Sequence, residues 1–178
     1  MSSALLQFRR AVAADVPRIV ALVERAYRGE ASRAGWTTEA DLLDGQRTDA
    51  DEIGSLCASA SARIVLALEG EQLRGSVQLT PAPFGLYLGM LAVQPSLQGG
   101  GVGRALLGEA ERIARDEGHG PTIRMTVIGQ RTELIAWYLR CGYQVVGRRE
   151  PFPYGQPRFG LPRRSDLYFE VLEKQIAR

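Results

Sequence analysis

Four glycines within five residues, Gly99, Gly100, Gly101 and Gly103, stand between an apolar run ending at Val93 and an amphipathic stretch that begins near Val102. Glycine there removes the side chains that would hold a ligand off the backbone. If the stretch that follows is a helix, its first-turn N–H groups have no intrahelical partner and carry the positive end of the helix dipole. Strand, glycine loop and helix in that order form a site for a phosphate or pyrophosphate. A ligand-free glycine connection is the plainer alternative. The P-loop pattern needs Lys followed by Ser or Thr after its last glycine, where this chain has Arg104-Ala105. The dinucleotide fingerprint Gly-x-Gly-x-x-Gly/Ala fails from Gly99, where it ends on Arg104, and from Gly101, where it ends on Leu106.

The rest of the composition narrows the chemistry. His119 is the only histidine, and it reads as a turn residue in Glu117-Gly118-His119-Gly120-Pro121. A Ser-His-Asp triad, a Cys-His dyad or a multi-histidine metal site would all have to rest on it, so hydrolase and metalloenzyme chemistry lose weight and no metal is expected. Cys57 and Cys141 lack metal-type spacing and read as buried thiols of a reducing compartment. The first ten residues lack the basic start and apolar stretch of a signal peptide. No apolar run approaches the roughly 20 residues of a membrane helix. The expectation is a cytoplasmic chain without a membrane partner. A net charge of +2, with both signs mixed along the chain, gives no case for nucleic acid.

The elements that must position the loop follow from periodicity. Leu5 to Ala11 reads as a strand. Asp15 is an N-cap candidate with Pro17 in the first turn, and Val16, Ile19, Val20, Leu22, Val23, Ala26 and Tyr27 make one apolar helix face. Thr38 to Leu43 and Asp49 to Ala58 are expected as short helices. Arg63 to Leu68 and Leu73 to Leu79 form a hairpin, and Leu86 to Val93 is the strand that feeds the glycines. A helix is expected from Gly101 to about Asp116, a strand from Thr122 to Ile128, a helix around Tyr138, and strands from Tyr143 to Arg148 and from Leu167 to about Leu172. The order predicts one mixed-sheet α/β domain over residues 1–178. Pro151 to Pro162 alternates four prolines with three aromatics, a stiff loop that cannot pair as a central strand. It is either a packed connection or a wall of a binding pocket. Trp36, in a polar segment, is either a hydrophobic clasp or a substrate contact.

Gln98-Gly99-Gly100-Gly101-Val102-Gly103 fits Gln/Arg-x-x-Gly-x-Gly/Ala at every fixed position. In this the chain resembles the GNAT superfamily of N-acyltransferases, whose acyl-coenzyme A pyrophosphate loop has that pattern. Residues 131–143 resemble the family's late helix, Asn-x-x-Ala-x-x-Leu-Tyr-x-x-x-Gly-Phe/Tyr. Tyr138, Gly142 and Tyr143 match, while Arg131, Leu134 and Trp137 replace Asn, Ala and Leu. The likeness runs from about Ala4 to Glu173.

The resemblance implies a mostly antiparallel sheet of about seven strands flanked by helices. It also implies transfer of an acetyl or larger acyl group from acetyl-CoA to a primary amine by direct attack on the thioester, with no metal. The acceptor would be a small molecule or a protein amine, and a homodimer is an admissible assembly. The backbone from Gln98 through Gly99, Gly100, Gly101, Val102 and Gly103 to Arg104 would hold the pyrophosphate. Leu91 and Val93 would pair with the pantetheine arm, and the Leu91 or Ala92 N–H would meet the thioester oxygen. Arg131 would reach the cofactor, and Tyr138 would act as general acid. For the proton acceptor, Glu39, Asp41, Glu133, Glu150 and Tyr87 stay open. A CoA-responsive regulatory domain with little turnover is the alternative function, and a structural partner domain that has lost the cofactor is a third.

Overall fold

Alternation along β3 (Arg63–Glu69) sets the layers of the molecule. Val65 and Ala67 enter one apolar cluster, whereas Ile64, Leu66 and Leu68 enter another on the opposite face. A strand buried on both faces needs helices on both sides of its sheet. The computed structural model describes residues 5–177. Residues 1–4, where the expected domain and the family likeness begin, and residue 178 lie outside the described residues.

The first face is covered by α1 (Val16–Tyr27) and α3 (Ala50–Ala58), with the short α2 (Gly29–Ser32) after α1. The second face carries α4 (Val102–Asp116) and α5 (Thr132–Arg140). Between them lie β1 (Gln7–Arg10), β3, β4 (Gln72–Ala82), β5 (Gly85–Val93), β6 (Thr122–Ile128), β7 (Gln144–Pro151) and β9 (Tyr168–Gln175). Their order across the sheet is β1-β3-β4-β5-β6-β9-β7. Only the β5–β6 contact is parallel. The seven-stranded, mostly antiparallel mixed sheet is therefore as expected.

Two local expectations change. Asp15 does not cap α1 with its side chain. Its carboxylate accepts from the Val12 N–H at 2.8 Å and pairs with Arg9 at 2.7 Å, tying β1 to the first helix. Asp49 does cap α3, accepting from the Glu52 N–H at 2.8 Å. Thr38 to Leu43 is a turn, not a helix: Leu42 and Leu43 both donate to the Glu39 carbonyl at 2.9 Å, and the chain then extends. Leu43 and Asp44 form β2, which pairs with β8 (Leu161–Pro162) in a separate two-stranded ribbon. Leu43 packs there with Ile128, Phe152 and Leu167. Pairing outside the main sheet also accommodates Pro162, which a central strand would exclude.

α4 offers a test of these assignments. Gly108 lies in its exposed middle, and a Cβ there would meet nothing within 4 Å. Gly108→Ala is expected to stabilise the protein by about 0.5–1 kcal/mol, because alanine has less backbone freedom to lose. Urea unfolding should show a higher midpoint at unchanged slope. A midpoint at or below wild type would contradict the helical placement.

Candidate active site

Two irregularities in β5 open the sheet. Its parallel pairing to β6 covers only Gly85, Leu86 and Tyr87, although the strands continue to Val93 and Ile128. The edge from Leu88 to Val93 is thus parted from β6. Against β4, Gln78 faces Gly89 and Ser76 faces Ala92, so two steps on β4 meet three on β5. The extra residue forms a bulge at Met90, the one non-glycine residue with positive φ (42°) among the described residues. A left-handed backbone there costs on the order of 1–2 kcal/mol. The bulge reverses facing: Leu86 and Leu88 belong to the α4 side, Met90 and Ala92 to the α1 side, and Leu91 and Val93 to the α4 side again.

A cavity of about 370 Å³ lies between β5, the glycine loop and α5. Gly101 precedes α4 at φ 91°, a left-handed conformation that favours glycine. The Gln98 and Gly100 N–H groups are already used, donating to Pro95 and Leu97 carbonyls at 3.4 and 3.1 Å. The N–H groups of Gly99, Gly101, Val102, Gly103 and Arg104 have no partner among the described residues. A Cβ at Gly99 or Gly101 would meet nothing within 4 Å. Arg104 and Arg140 line the same cavity without an ion pair among the described residues. Clustered N–H donors at a helix start, open space beside them and two guanidiniums fit a diphosphate.

Gln98 works differently from expectation. Its side chain accepts from the Trp36 and Thr37 N–H groups at 2.8 and 3.2 Å and donates to Thr37 Oγ1 at 2.8 Å. It clasps the segment after α2 onto the loop. Trp36 lies edge-on to Trp137, with ring centroids 6.0 Å apart, so it both packs the segment and walls the cavity.

A second cavity, of about 300 Å³, occupies the gap where β5 and β6 part. Tyr27, Leu91, Arg131, Leu134 and Tyr138 line both cavities and form their junction. The Tyr27 hydroxyl donates to the Leu91 carbonyl. The Tyr138 side chain is buried, yet its hydroxyl bonds to no described residue. Burial, with Tyr27 close by, pushes this phenol well above its ordinary value against the pull of Arg131. The proton therefore stays on Tyr138 at neutral pH.

Arg131 does not extend into the first cavity alone. Its guanidinium donates to Glu39 Oε1 at 2.7 Å and to the Thr37 carbonyl. Arg28 pairs with Glu39 Oε2, so both oxygens of this buried carboxylate are taken. Burial alone would raise Glu39, but Arg131, Arg28 and Arg47 together hold it below the ordinary carboxylate value. A carboxylate so held is a poor proton acceptor. Asp41 pairs with Arg33 and Glu150 with Arg148 at the surface, Glu133 is exposed, and none of these three lines either cavity. Tyr87 does line the second cavity, its hydroxyl 3.2 Å from Thr126 Oγ1.

Of the expected donor-side residues, Leu91, Val93, Gln98, Gly99, Gly101, Gly103, Arg104, Arg131 and Tyr138 come together around the first cavity. Ala92, Gly100 and Val102 do not line it; the Ala92 and Val102 side chains are buried in the two cores. In the proline-rich loop, Phe152, Pro153 and Phe159 wall the second cavity. Tyr154 does not: its hydroxyl bridges the Arg164 carbonyl and the Leu167 N–H at 2.9 and 2.8 Å, stapling the loop. Sequence reasoning missed Tyr27, Arg47 and Arg140. Tyr27 carries the same helical spacing as its core neighbours, and the two arginines had no local signal. His119, as expected, follows α4 in a turn, with Nε2 2.8 Å from Glu117. Among the described residues, no group of three or more His, Cys, Asp or Glu side chains is placed to hold a metal. No helix there is long and apolar enough to cross a membrane.

Residues 20–143 match the model of the acetyltransferase (GNAT) family. The fold is similar to that of the ribosomal-protein-S18-alanine N-acetyltransferase from Escherichia coli, at 14% identity over 98% of this chain and 96% of that one, with a TM-score of 0.71. An N-acetyltransferase from Staphylococcus aureus is similar at 12% identity, over 97% and 99% of the two chains, with a TM-score of 0.71. The structure of yncA from Salmonella typhimurium with its cofactor acetyl-CoA is similar at 18% identity, over 98% and 95%, with a TM-score of 0.69. No curated protein sequence matches this chain.

Proposed function

We propose, from the premise that the chain belongs to the GNAT acetyltransferase family, that it transfers an acetyl group from acetyl-CoA to a primary amine. The observation that carries this reading is the set of N–H groups at the start of α4 with no partner among the described residues, beside the cavity that Tyr138 also lines.

Acetyl-CoA supplies the acyl group already activated as a thioester. The N–H groups of Gly99 and of Gly101 to Arg104 hold its diphosphate, with Arg104 and Arg140 adding charge. The edge of β5 parted from β6 offers backbone groups to the amide-bearing arm, in the manner of an added strand. Tyr27 fixes the Leu91 carbonyl and so orients this stretch, leaving the Leu91 N–H to face the thioester oxygen. Tyr138 holds a proton on its hydroxyl for the departing sulfur. Arg131 and Glu39 shape the junction and take no part in proton transfer. The amine enters through the second cavity, between Tyr87 and the phenylalanines of the proline-rich loop. The chain acts as one domain over residues 1–178, in the cytoplasm, where the two free thiols Cys57 and Cys141 stay reduced.

Acetyl-CoA is expected to raise Tm by roughly 5–10 °C at a hundredfold excess over its Kd. Thiol release should then follow when amines are added. Absence of both the shift and calorimetric binding at millimolar acetyl-CoA would overturn the reading. Binding without thiol release across a broad amine panel would favour the regulatory alternative.

A further inference from the structure

The wall of the second cavity carries one guanidinium that has no hydrogen-bond or ion-pair partner among the described residues. Arg47 lies there, half-buried, with its guanidinium 5.5 Å from the centre of the Tyr27 ring. The side chain makes no hydrogen bond or ion pair with any described residue. Its root is nevertheless fixed: the Arg47 and Thr48 N–H groups both donate to Glu24 Oε1, at 2.6 and 2.8 Å. Holding a half-buried guanidinium unpaired costs free energy unless an anion meets it. Tyr27, the ring beneath it, lines both cavities and bonds to Leu91, so this charge stands one ring away from the reaction centre.

The carboxylate nearest the junction cannot compensate. Both oxygens of Glu39 are bridged by Arg28 and Arg131, so Glu39 offers no attraction to an incoming ammonium. Glu52, the other carboxylate on the wall, accepts from the Thr48 hydroxyl at 2.7 Å and pairs with no cation among the described residues. A diamine drawn to Glu52 is therefore the rival occupant. The body of the cavity is apolar, with Leu43, Met125, Ile128, Phe152 and Phe169 among its walls.

We infer that the acceptor is a small amine that also bears a carboxylate, an amino acid with an apolar side chain, and that Arg47 binds the carboxylate. The inference rests on the acetyl-transfer reading of the same site. The acceptor's ammonium gives up two protons as the amide C–N bond forms and the thioester C–S bond breaks. One proton ends on sulfur and one in solvent. Arg47 is a positioning residue, since its charge meets the carboxylate and not the reacting atoms.

The test compares matched acceptors by thiol release: phenylalanine with phenethylamine, leucine with isopentylamine, and putrescine as the diamine. Wild type should favour each amino acid over its decarboxylated partner by about 10- to 100-fold in kcat/KM, the range of one charge-assisted contact. In Arg47→Gln that ratio should fall toward parity, and Arg47→Lys should keep part of it. Calorimetry of acetyl-CoA, and of phenylalanine and leucine on the CoA-loaded protein, separates the two levels of argument. No acetyl-CoA binding removes the acetyl-transfer reading and this inference with it. Acetyl-CoA binding with no binding or turnover of either amino acid removes only the acceptor assignment. Preference for the decarboxylated amines or putrescine, or a ratio that survives Arg47→Gln, overturns it as well.

Discussion

Tyr138→Phe is expected to slow the chemical step on the order of 10²-fold while acetyl-CoA binding and Tm stay near wild type. The substitution removes one oxygen and keeps the ring, which packs edge-on against Trp137 and Tyr143 at centroid distances of 4.9 and 5.8 Å. Because the hydroxyl bonds to no described residue, its loss strands no buried partner, and stability gives little reason for the rate to change. Pre-steady-state kinetics is the measurement, since slow product release would mask the effect in kcat. An unchanged chemical step would return Tyr138 to a packing role and leave water to protonate the sulfur.

Gly103→Val is expected to weaken acetyl-CoA binding by 10²-fold or more. Gly103 lies in the first turn of α4, where its backbone suits any residue, so valine adds no left-handed strain. Its Cβ would come within 3.3 Å of two Trp137 ring atoms and 3.7 Å of Val93. The further methyl groups drive the indole toward the cavity and cover the loop's N–H donors. Gly101→Val would be a poorer test, because φ 91° there penalises a β-branched residue whatever happens to the ligand. Calorimetric titration decides the matter, with a thermal melt to establish that the variant is folded. Acetyl-CoA affinity close to wild type would remove the glycine loop from the binding site.

What could be read from the sequence was local. The run from Gly99 to Gly103 announces a helix start with free N–H groups, and the structure has that helix from Val102. The alternation of Arg63 to Leu68 and the helical spacing from Val16 to Tyr27 were equally direct. The bulge at Met90 was hidden because a left-handed methionine contradicts its own local preference and is imposed by the surrounding sheet. Thr38 to Leu43 has helical spacing, but Glu39 is drawn into an ion-paired cluster with Arg28 and Arg131 while Leu43 pairs with Pro162. Arg131 lies 92 positions from Glu39 and Pro162 lies 119 from Leu43, so no local window contains them. The Gln98 clasp on Trp36 and Thr37, and the position of Arg47 over Tyr27, are of the same kind.

The edge-on pair of Trp36 and Trp137 has an optical consequence. These are the chain's only tryptophans, and both stand on the wall of the first cavity, beside the glycine loop. Indole emission from the whole protein therefore originates at one place. A molecule entering that cavity changes the polarity and ring contacts of both indoles, so donor binding carries a built-in spectroscopic signal without any attached label. The second cavity is walled by tyrosines and phenylalanines alone among aromatic residues. Its occupancy should leave indole emission nearly dark to the event, which lets the two binding steps be followed separately in a single sample.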